Sequence, residues 1–520
     1  MRKKILIFYV LAGIFLVGFF AVGLSVTYAV ILGTVYDRVS NFQDSDYARD
    51  IAVEKGLNPN VYVVGSVWDS LGNSGYTDIV KYSSTGAVVA SVSSGFFPES
   101  VALNPSDNSI YVIGGENNIT PGTIKKYDSS LNLIAATTTK PITGGGACDG
   151  RHDINGVAVD STGIYVVGRY KRFTPPSPCG ASNEDFRLIK FNLALTQQTG
   201  DYMYDSGNTQ EGASAVAVDA LQNAYIAGDK YNVSYLDWVV GKMNSVGVFT
   251  EMEVYGGSPF GDVPRDITVD PASGYIYAVG ENDISSGSIS ARLVQYSSST
   301  LVSVWATSTQ PFGISSQSGG TGVAVDKFGS VYISGGAYVS GSPGWVQKFT
   351  SFGKLLFTNP FGNMCAKSVA VDDNNNFYMA GQTASACDSG GSDYRTVKIS
   401  SRCNGTSTLP GYTIPWTDNP IISNQTKIKE VHMRELRSWT NDRRVDAGMT
   451  SSTWSDNLIV PNQTKIKATH FDEVRTAISQ AYSTCGRNID PNIGGPNVTI
   501  RGAHLEELRK YILSIPEFPS

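Results

Sequence analysis

The sequence predicts a mainly β protein: seven four-stranded units arranged as a ring closed by an N-terminal strand, followed by a small α-helical C-terminal domain. Three observations predict it. Glycine is frequent, 54 of 520 residues, and charged residues make up only 17%, against roughly a quarter in an average soluble domain; that is the profile of turn-rich strands. A Val-Ala-Val-Asp-like segment, a turn and then Tyr-x-x-Gly recur seven times. After the last copy come three helix-period segments that share a His-x-x-Glu pattern. The 41% hydrophobic content is ample for a buried core and excludes disorder. A net charge of -6 without a basic cluster argues against nucleic acid as a partner.

The chain opens with Arg2, Lys3 and Lys4 before an uncharged stretch from Ile5 to Leu32. A secretory signal has an apolar centre of about 7–15 residues, and a spanning helix needs about 20. The stretch exceeds both, so residues 1–31 read as a signal peptide or a transmembrane anchor. Thr27-Tyr28-Ala29 is a modest cleavage site. Either way the basic flank keeps the N-terminus inside and exports the rest, as a secreted or membrane-anchored, cell-surface protein. The six cysteines, Cys148, Cys179, Cys365, Cys387, Cys403 and Cys485, agree with an oxidising compartment, where disulfides outweigh the alternative of buried free thiols.

The repeated segments begin at Ile51, Val101, Val157, Val216, Ile267, Val323 and Val369. Their tyrosines are Tyr62, Tyr111, Tyr165, Tyr225, Tyr277, Tyr332 and Tyr378, each with a glycine three residues on, from Gly65 to Gly381. A third alternating run follows, such as Trp345–Phe349, and a fourth, such as Thr250–Tyr255. Four strands at a period of roughly 46–60 residues is the signature of a β-propeller blade. The seventh unit, after Tyr394–Ile399, meets Cys403 without a fourth strand. The segment near Leu32–Ser40 is expected to supply it, pairing the two ends of the ring and removing an exposed edge.

Over about residues 32–403 the units resemble the bacterial exported seven-bladed β-propeller repeat proteins, relatives in architecture of the NHL-type propellers. The resemblance rests on Ser45-Asp-Tyr-Ala-Arg-Asp-Ile-Ala-Val53, on Asp160-Ser-Thr-Gly-Ile-Tyr-Val-Val-Gly168 and on Asp393-Tyr-Arg-Thr-Val-Lys398. It implies an exported binding or surface protein and carries no agreed catalytic residue. The cysteines and a long insertion at Arg169–Phe186 depart from the pattern.

Asp160, Asp219, Asp270, Asp326 and Asp372 end the first strand of five units, where Glu54 and Asn104 stand in the first two. An Asp before a short turn accepts backbone N–H bonds and fixes the hairpin, so these are read as structural rather than as a ring of ligands. The repeated tyrosine is expected between blades, and the repeated glycine where backbones crowd.

In such a blade the loop entering strand 1 and the loop joining strands 2 and 3 share a face. Those loops are long here, for example Lys140–Asn155 and Arg169–Phe186, while the opposite hairpins such as Ser83–Gly86 are short. Binding residues sit on such loops over a rigid scaffold. Cys148 and Cys179 occupy these two places in blade 3, Cys365 and Cys387 in blade 7. Disulfide geometry then favours Cys148–Cys179 and Cys365–Cys387, leaving Cys403 for Cys485. Aromatics beside carboxylates mark candidate ligand residues: Trp68 and Asp69, Phe97 and Glu99, Asp229 and Tyr231, Phe260 and Asp262. Packing of the loop layer competes with that reading. His152 is the ninth candidate ligand residue, and with Cys148, Asp149, Arg151 and Asp153 it is also the best catalytic candidate.

Residues 404–520 form three helical repeats carrying His432 and Glu435, His470 and Glu473, and His504 and Glu507, with Asp418, Asp456 and Asp490 fourteen residues before each histidine. Thr426 and Thr464 are expected N-caps. A His and a Glu at i, i+3 share a helix face and are weak candidates for a metal such as zinc. One metal site does not need three copies, so a His–Asp bond fastening loop to helix is the expected role, and no cofactor is implied. The function expected is non-enzymatic recognition of a glycan or protein ligand outside the cytoplasm. The alternatives are a propeller lyase or hydrolase acting on polysaccharide or peptide, and a purely structural surface assembly. A carboxylate-lined central funnel would favour catalysis; no central pocket would favour assembly.

Overall fold

Runs of alternating apolar residues bounded by Gly-, Asn- and Asp-containing turns form strands that bury one face, and here they assemble into seven antiparallel four-stranded sheets. The computed structural model describes residues 34–40; residues 45–399 apart from isolated loop positions and the segments 69–73, 116–121, 140–151, 174–181, 205–209, 233–234, 256–260, 286–287, 312–317, 339–343 and 384–392; and, towards the C-terminus, 428–446, 451–456, 465–484 and Leu505, Leu508, Arg509 and Ile512.

Six sheets are built from consecutive strands. The seventh takes its first three strands from Cys365–Val371, Phe377–Gln382 and Tyr394–Ile399 and its fourth from Thr34–Ser40. The register of that closure runs from Thr34 opposite Ile399 to Ser40 opposite Tyr394. The chain is therefore a seven-bladed propeller locked by its own N-terminal strand, as the missing fourth strand predicts.

Among the described residues the propeller's core is divided into seven clusters, each shared by two neighbouring blades. All seven repeat tyrosines are buried. Tyr62 packs with Phe96, Val101 and Ile110 of blade 2, and Tyr378 of blade 7 packs with Ile51, Val61 and Val80 of blade 1. The strand-end carboxylates anchor both the turn and this tyrosine. Asp219 accepts the N–H of Leu221 and of Asn223, each at 2.8 Å, and the Tyr225 hydroxyl at 3.0 Å. Asp372 does the same for Asn374, Asn376 and Tyr378. In blade 1 Glu54 accepts the Tyr62 hydroxyl at 2.6 Å.

A lysine on strand 3 reaches across most blade boundaries. Lys81 Nζ donates to the Ser129 carbonyl at 2.6 Å, Lys242 Nζ to Ser298 at 2.6 Å, and Lys398 Nζ to Ser84 at 2.9 Å across the ring closure. Each also lies over a repeat tyrosine, for example 5.2 Å from the Tyr378 ring. A charged donor bonded to a carbonyl contributes about 1.5–3 kcal/mol, so the device helps hold consecutive sheets together.

Two sequence expectations are corrected. The insertion Arg169–Phe186 is mostly not a loop, because strands 2 and 3 of blade 3 (Ile164–Phe173 and Ser182–Phe191) continue through it, with Arg169 opposite Phe186 and Phe173 opposite Ser182. Strand 1 of that blade likewise begins at His152, inside the expected loop Lys140–Asn155. Both segments keep adding ladder hydrogen bonds, so the strands outrun the core.

In the C-terminal region, helices α1 (Glu430–Asp446) and α2 (Ala468–Thr484) pack together, and the described residues of the third repeat are helical and buried. The expected threonine caps are also corrected: the helices begin four residues after Thr426 and Thr464, with Lys429 and Lys467 at the N-caps. The histidine takes the role that Glu or Gln plays in a capping box. His432 Nδ1 accepts the Lys429 N–H at 3.1 Å, and His470 Nδ1 accepts that of Lys467 at 3.3 Å. Arg–Glu pairs link the repeats: Arg437 to Glu473 at 2.9 Å and Arg509 to Glu435 at 3.5 Å.

Candidate functional site

The site grows out of one backbone irregularity repeated seven times. In every blade the pairing of strands 1 and 2 slips by one residue opposite the repeat glycine, between Ala48 and Asp50 in blade 1 and between Pro264 and Asp266 in blade 5. The extra residue of a bulge kinks its strand and redirects a side chain. Here the extra residues are Arg49, Glu99, Asn155, Ser214, Arg265, Thr321 and Lys367, and all seven line one cavity of about 1480 Å³ at the ring axis. The glycine is what permits the bulge. A Cβ on Gly65 would lie 1.9 Å from the Tyr47 carbonyl oxygen, and one on Gly114 only 1.8 Å from that of Phe97. The remaining blades show the same clash with a strand-1 carbonyl.

Besides strand 1, the lining comes from the second half of strand 2 and the start of strand 3, with Arg169, Asp229 and Glu281 on the former and Leu236 on the latter. These residues lie on the long-loop side of the strands' midpoints. The floor of this funnel carries the residues that follow the bulges. Asp50 accepts hydrogen bonds from the Ile51 N–H (2.8 Å), the Val101 N–H (2.9 Å), and the hydroxyls of Ser100 and Ser368 (both 2.7 Å), joining blades 1, 2 and 7. Asp266 accepts the N–H groups of Ile267 and Val323, both at 2.8 Å. Burial, with a smaller contribution from the Asp50 charge, pushes the Asp266 carboxyl up to about 7 against two backbone donors that pull it down.

Above the floor, arginines are held by carboxylates. Arg265 donates Nε and Nη2 to Glu281, both at 3.0 Å, and the Tyr338 hydroxyl donates to the same carboxylate at 2.5 Å. Arg169 bonds both oxygens of Asp229, at 2.8 and 3.1 Å, and Glu184 at 3.2 Å. Arg49 lies 3.7 Å from Glu99. Desolvation inside the funnel raises the Glu99 carboxyl, Arg49 opposes the shift and Asp153 adds to it. Desolvation raises Asp229 as well, against Arg169.

Of the nine ligand residues expected from sequence, the structure brings Phe97, Glu99 and Asp229 together in the funnel. Tyr231 is exposed outside it, and Asp262 is buried and bonded to Asn282 and Arg292. Trp68 and His152 are strand residues whose side chains lie outside the described ones, as do Asp69 and Phe260 altogether. The described members sit on strands, not loops: Phe97 and Glu99 in Phe97–Leu103, Asp229 and Tyr231 in Ala224–Asn232, Asp262 in Asp262–Val269. Sequence reasoning missed the rest of the bulge ring. Its signal was a polar residue two positions before each repeat anchor in all seven copies.

Cys365 is disulfide-bonded; Cys148, Cys179, Cys387, Cys403 and Cys485 lie outside the described residues, so the three pairings stay proposals. The metal candidates are engaged otherwise. With Nδ1 accepting, His470 Nε2 carries its proton and meets Asp456 Oδ2 at 2.7 Å, the expected loop-to-helix bond. Glu473 accepts from Arg437 and from the Ser455 N–H. His504 and Glu507 lie outside the described residues. Among the described residues no helix is long and apolar enough to cross a membrane, and residues 1–33 are not among them.

Fold and funnel together define a seven-bladed β-propeller with a polar axial cavity. Among solved structures the chain is similar to BamB from Moraxella catarrhalis, at 12% identity over 71% of this chain and 100% of that one, with a TM-score of 0.40. No family model and no curated protein matches the chain.

Proposed function

We propose that the protein is an exported, non-enzymatic binding protein that takes a polar ligand, a glycan or a peptide, into the axial funnel from the long-loop face. The observation that carries this is the convergence of seven polar bulge residues, one per blade, on a single cavity of about 1480 Å³. A cavity that large exceeds the roughly 300–1,000 Å³ of small-molecule sites and suits an oligomer. The charged N-terminus with its long uncharged stretch and the bonded Cys365 support export. A funnel also weighs against assembly as the whole role.

Catalysis is the second reading, favoured by the raised Glu99 carboxyl beside Asp153. Most of the other lining carboxylates, Asp50, Asp229, Asp266 and Glu281, are spent on backbone, hydroxyl or arginine partners, which favours binding. An array of glycans and peptides probed with the full chain tests the proposal, with Ser214→Trp as a plug in the funnel. Binding that disappears in the plugged variant at unchanged melting temperature is expected. No binding, or binding indifferent to the plug, overturns it; turnover of a bound oligomer that stops on Glu99→Gln would replace it with the enzyme.

A further inference from the structure

The charges that line the funnel differ in how far water reaches them: Asp50, Asp153 and Asp266 are half-buried, and two further carboxylates are almost closed off. Among the carboxylates, Asp229 and Glu281 have only 4% and 12% of their side chains exposed, and both are turned onto arginines. The arginines they hold remain open: Arg265 is 45% exposed and Arg169 36%. Arg49, at 47%, has Glu99 at 3.7 Å as its charged partner. Arg265 uses Nε and Nη2 on Glu281, so Nη1 is not engaged by that carboxylate, and the side chain lines the cavity. An arginine whose inner edge is fixed by a buried carboxylate presents its outer donors in a set direction, at little entropic cost on binding.

Lys367 adds a further cation to the same ring, from blade 7 next to Arg49 of blade 1. Glu99 is the carboxylate that Arg49 meets, and desolvation there resists its ionisation. Phe97, half-buried, lines the same cavity two residues before Glu99. An aromatic side chain in the same cavity as oxyanion-binding donors suits a sugar that carries acidic groups better than an acidic peptide.

We propose that the funnel's ligand is an acidic glycan, an oligosaccharide whose carboxylate or sulfate groups are taken by the outward edges of Arg49 and Arg265 while a sugar face lies on Phe97. This rests on the reading of the funnel as the binding site. The test uses the full chain in mild detergent and titration calorimetry with four probes: a galacturonate oligomer, its methyl-esterified neutral counterpart, a sulfated galactan oligomer and a poly-glutamate peptide. The acidic glycans should bind at least about tenfold more tightly than the neutral ester, and Arg49→Gln and Arg265→Gln should each weaken them by about tenfold, with Arg265→Lys as the variant that keeps charge if the Gln form fails to fold. The galacturonate and sulfated probes then identify which oxyanion is preferred. Equal affinity for the ester, or tighter binding of poly-glutamate, overturns the acidic-glycan assignment but leaves the funnel as a binding site. Binding of none of the four, together with a blank array, removes both.

Discussion

Asp50 is the most connected carboxylate at the axis, and its removal should loosen the ring at its closure. In Asp50→Ala the hydroxyls of Ser100 and Ser368 can rotate towards other acceptors, whereas the N–H groups of Ile51 and Val101 are fixed by the backbone. Both residues are 5% exposed, and each N–H loses an acceptor at 2.8 or 2.9 Å. An orphaned buried N–H costs about 1–3 kcal/mol, so two give about 2–6 kcal/mol. Water entering from the funnel replaces part of the loss, which places the expectation near 3 kcal/mol, a large fraction of the roughly 5–15 kcal/mol by which domains are stable. Asp50→Asn keeps one acceptor and should fall between. Ser214→Ala, at the bulge of blade 4, should change stability by less than about 0.5 kcal/mol. Urea unfolding followed by tryptophan emission, to which the buried Trp238 and Trp345 contribute, measures all three. An Asp50→Ala midpoint equal to that of Ser214→Ala would refute the reasoning.

Three further outcomes are expected. The Asp266 carboxyl, about 7 when folded against 3.8 when free, keeps its proton on folding, so its stabilising contribution is complete below about pH 4 and is lost as pH rises to about 7; at about 1.4 kcal/mol per unit the change is of the order of 4 kcal/mol, and Asp266→Asn should flatten that part of a urea-midpoint-versus-pH curve. Lys398→Met removes the donor to Ser84 and the cation over Tyr378 across the closure, and should lower unfolding stability by about 1.5–3 kcal/mol in the same assay. His470→Ala should shorten α2 and lower the far-ultraviolet helical signal on heating by several degrees, while added zinc leaves the wild-type melt where it was.

Much of the fold was legible because it is periodic and local. The blade count follows from Tyr-x-x-Gly, the hairpin role of Asp160 and Asp219 from their place before short turns, and the closure from the absence of a fourth strand after Ile399. Gly65 and its six equivalents were expected at crowded backbone, and they sit against strand-1 carbonyls. The site was read less well. The sequence points to loops for residues such as Asp229 and Tyr231 because no sequence signal says where a ladder stops once it leaves the core. The bulge ring was overlooked because its members share polarity, not identity, and because a bulge is a property of two paired strands. The helix caps were misplaced for a similar reason: Thr426 has the right chemistry, but His432 satisfies the Lys429 N–H at the turn where the helix begins.

Sequence alone determined the number of blades, the turns that end their strands and the way the two ends of the propeller meet, since each depends on residues within one repeat or on a strand that one repeat lacks. Only the tertiary structure decided which polar side chains face one another. Arg49, Arg265 and Lys367 are far apart along the chain and share a cavity only because seven bulged strands converge on one axis. The proton affinity of Asp266 is likewise set by burial at that axis and by Asp50 across it, and which arginine edges stay open is set by the carboxylates that the closed ring places behind them.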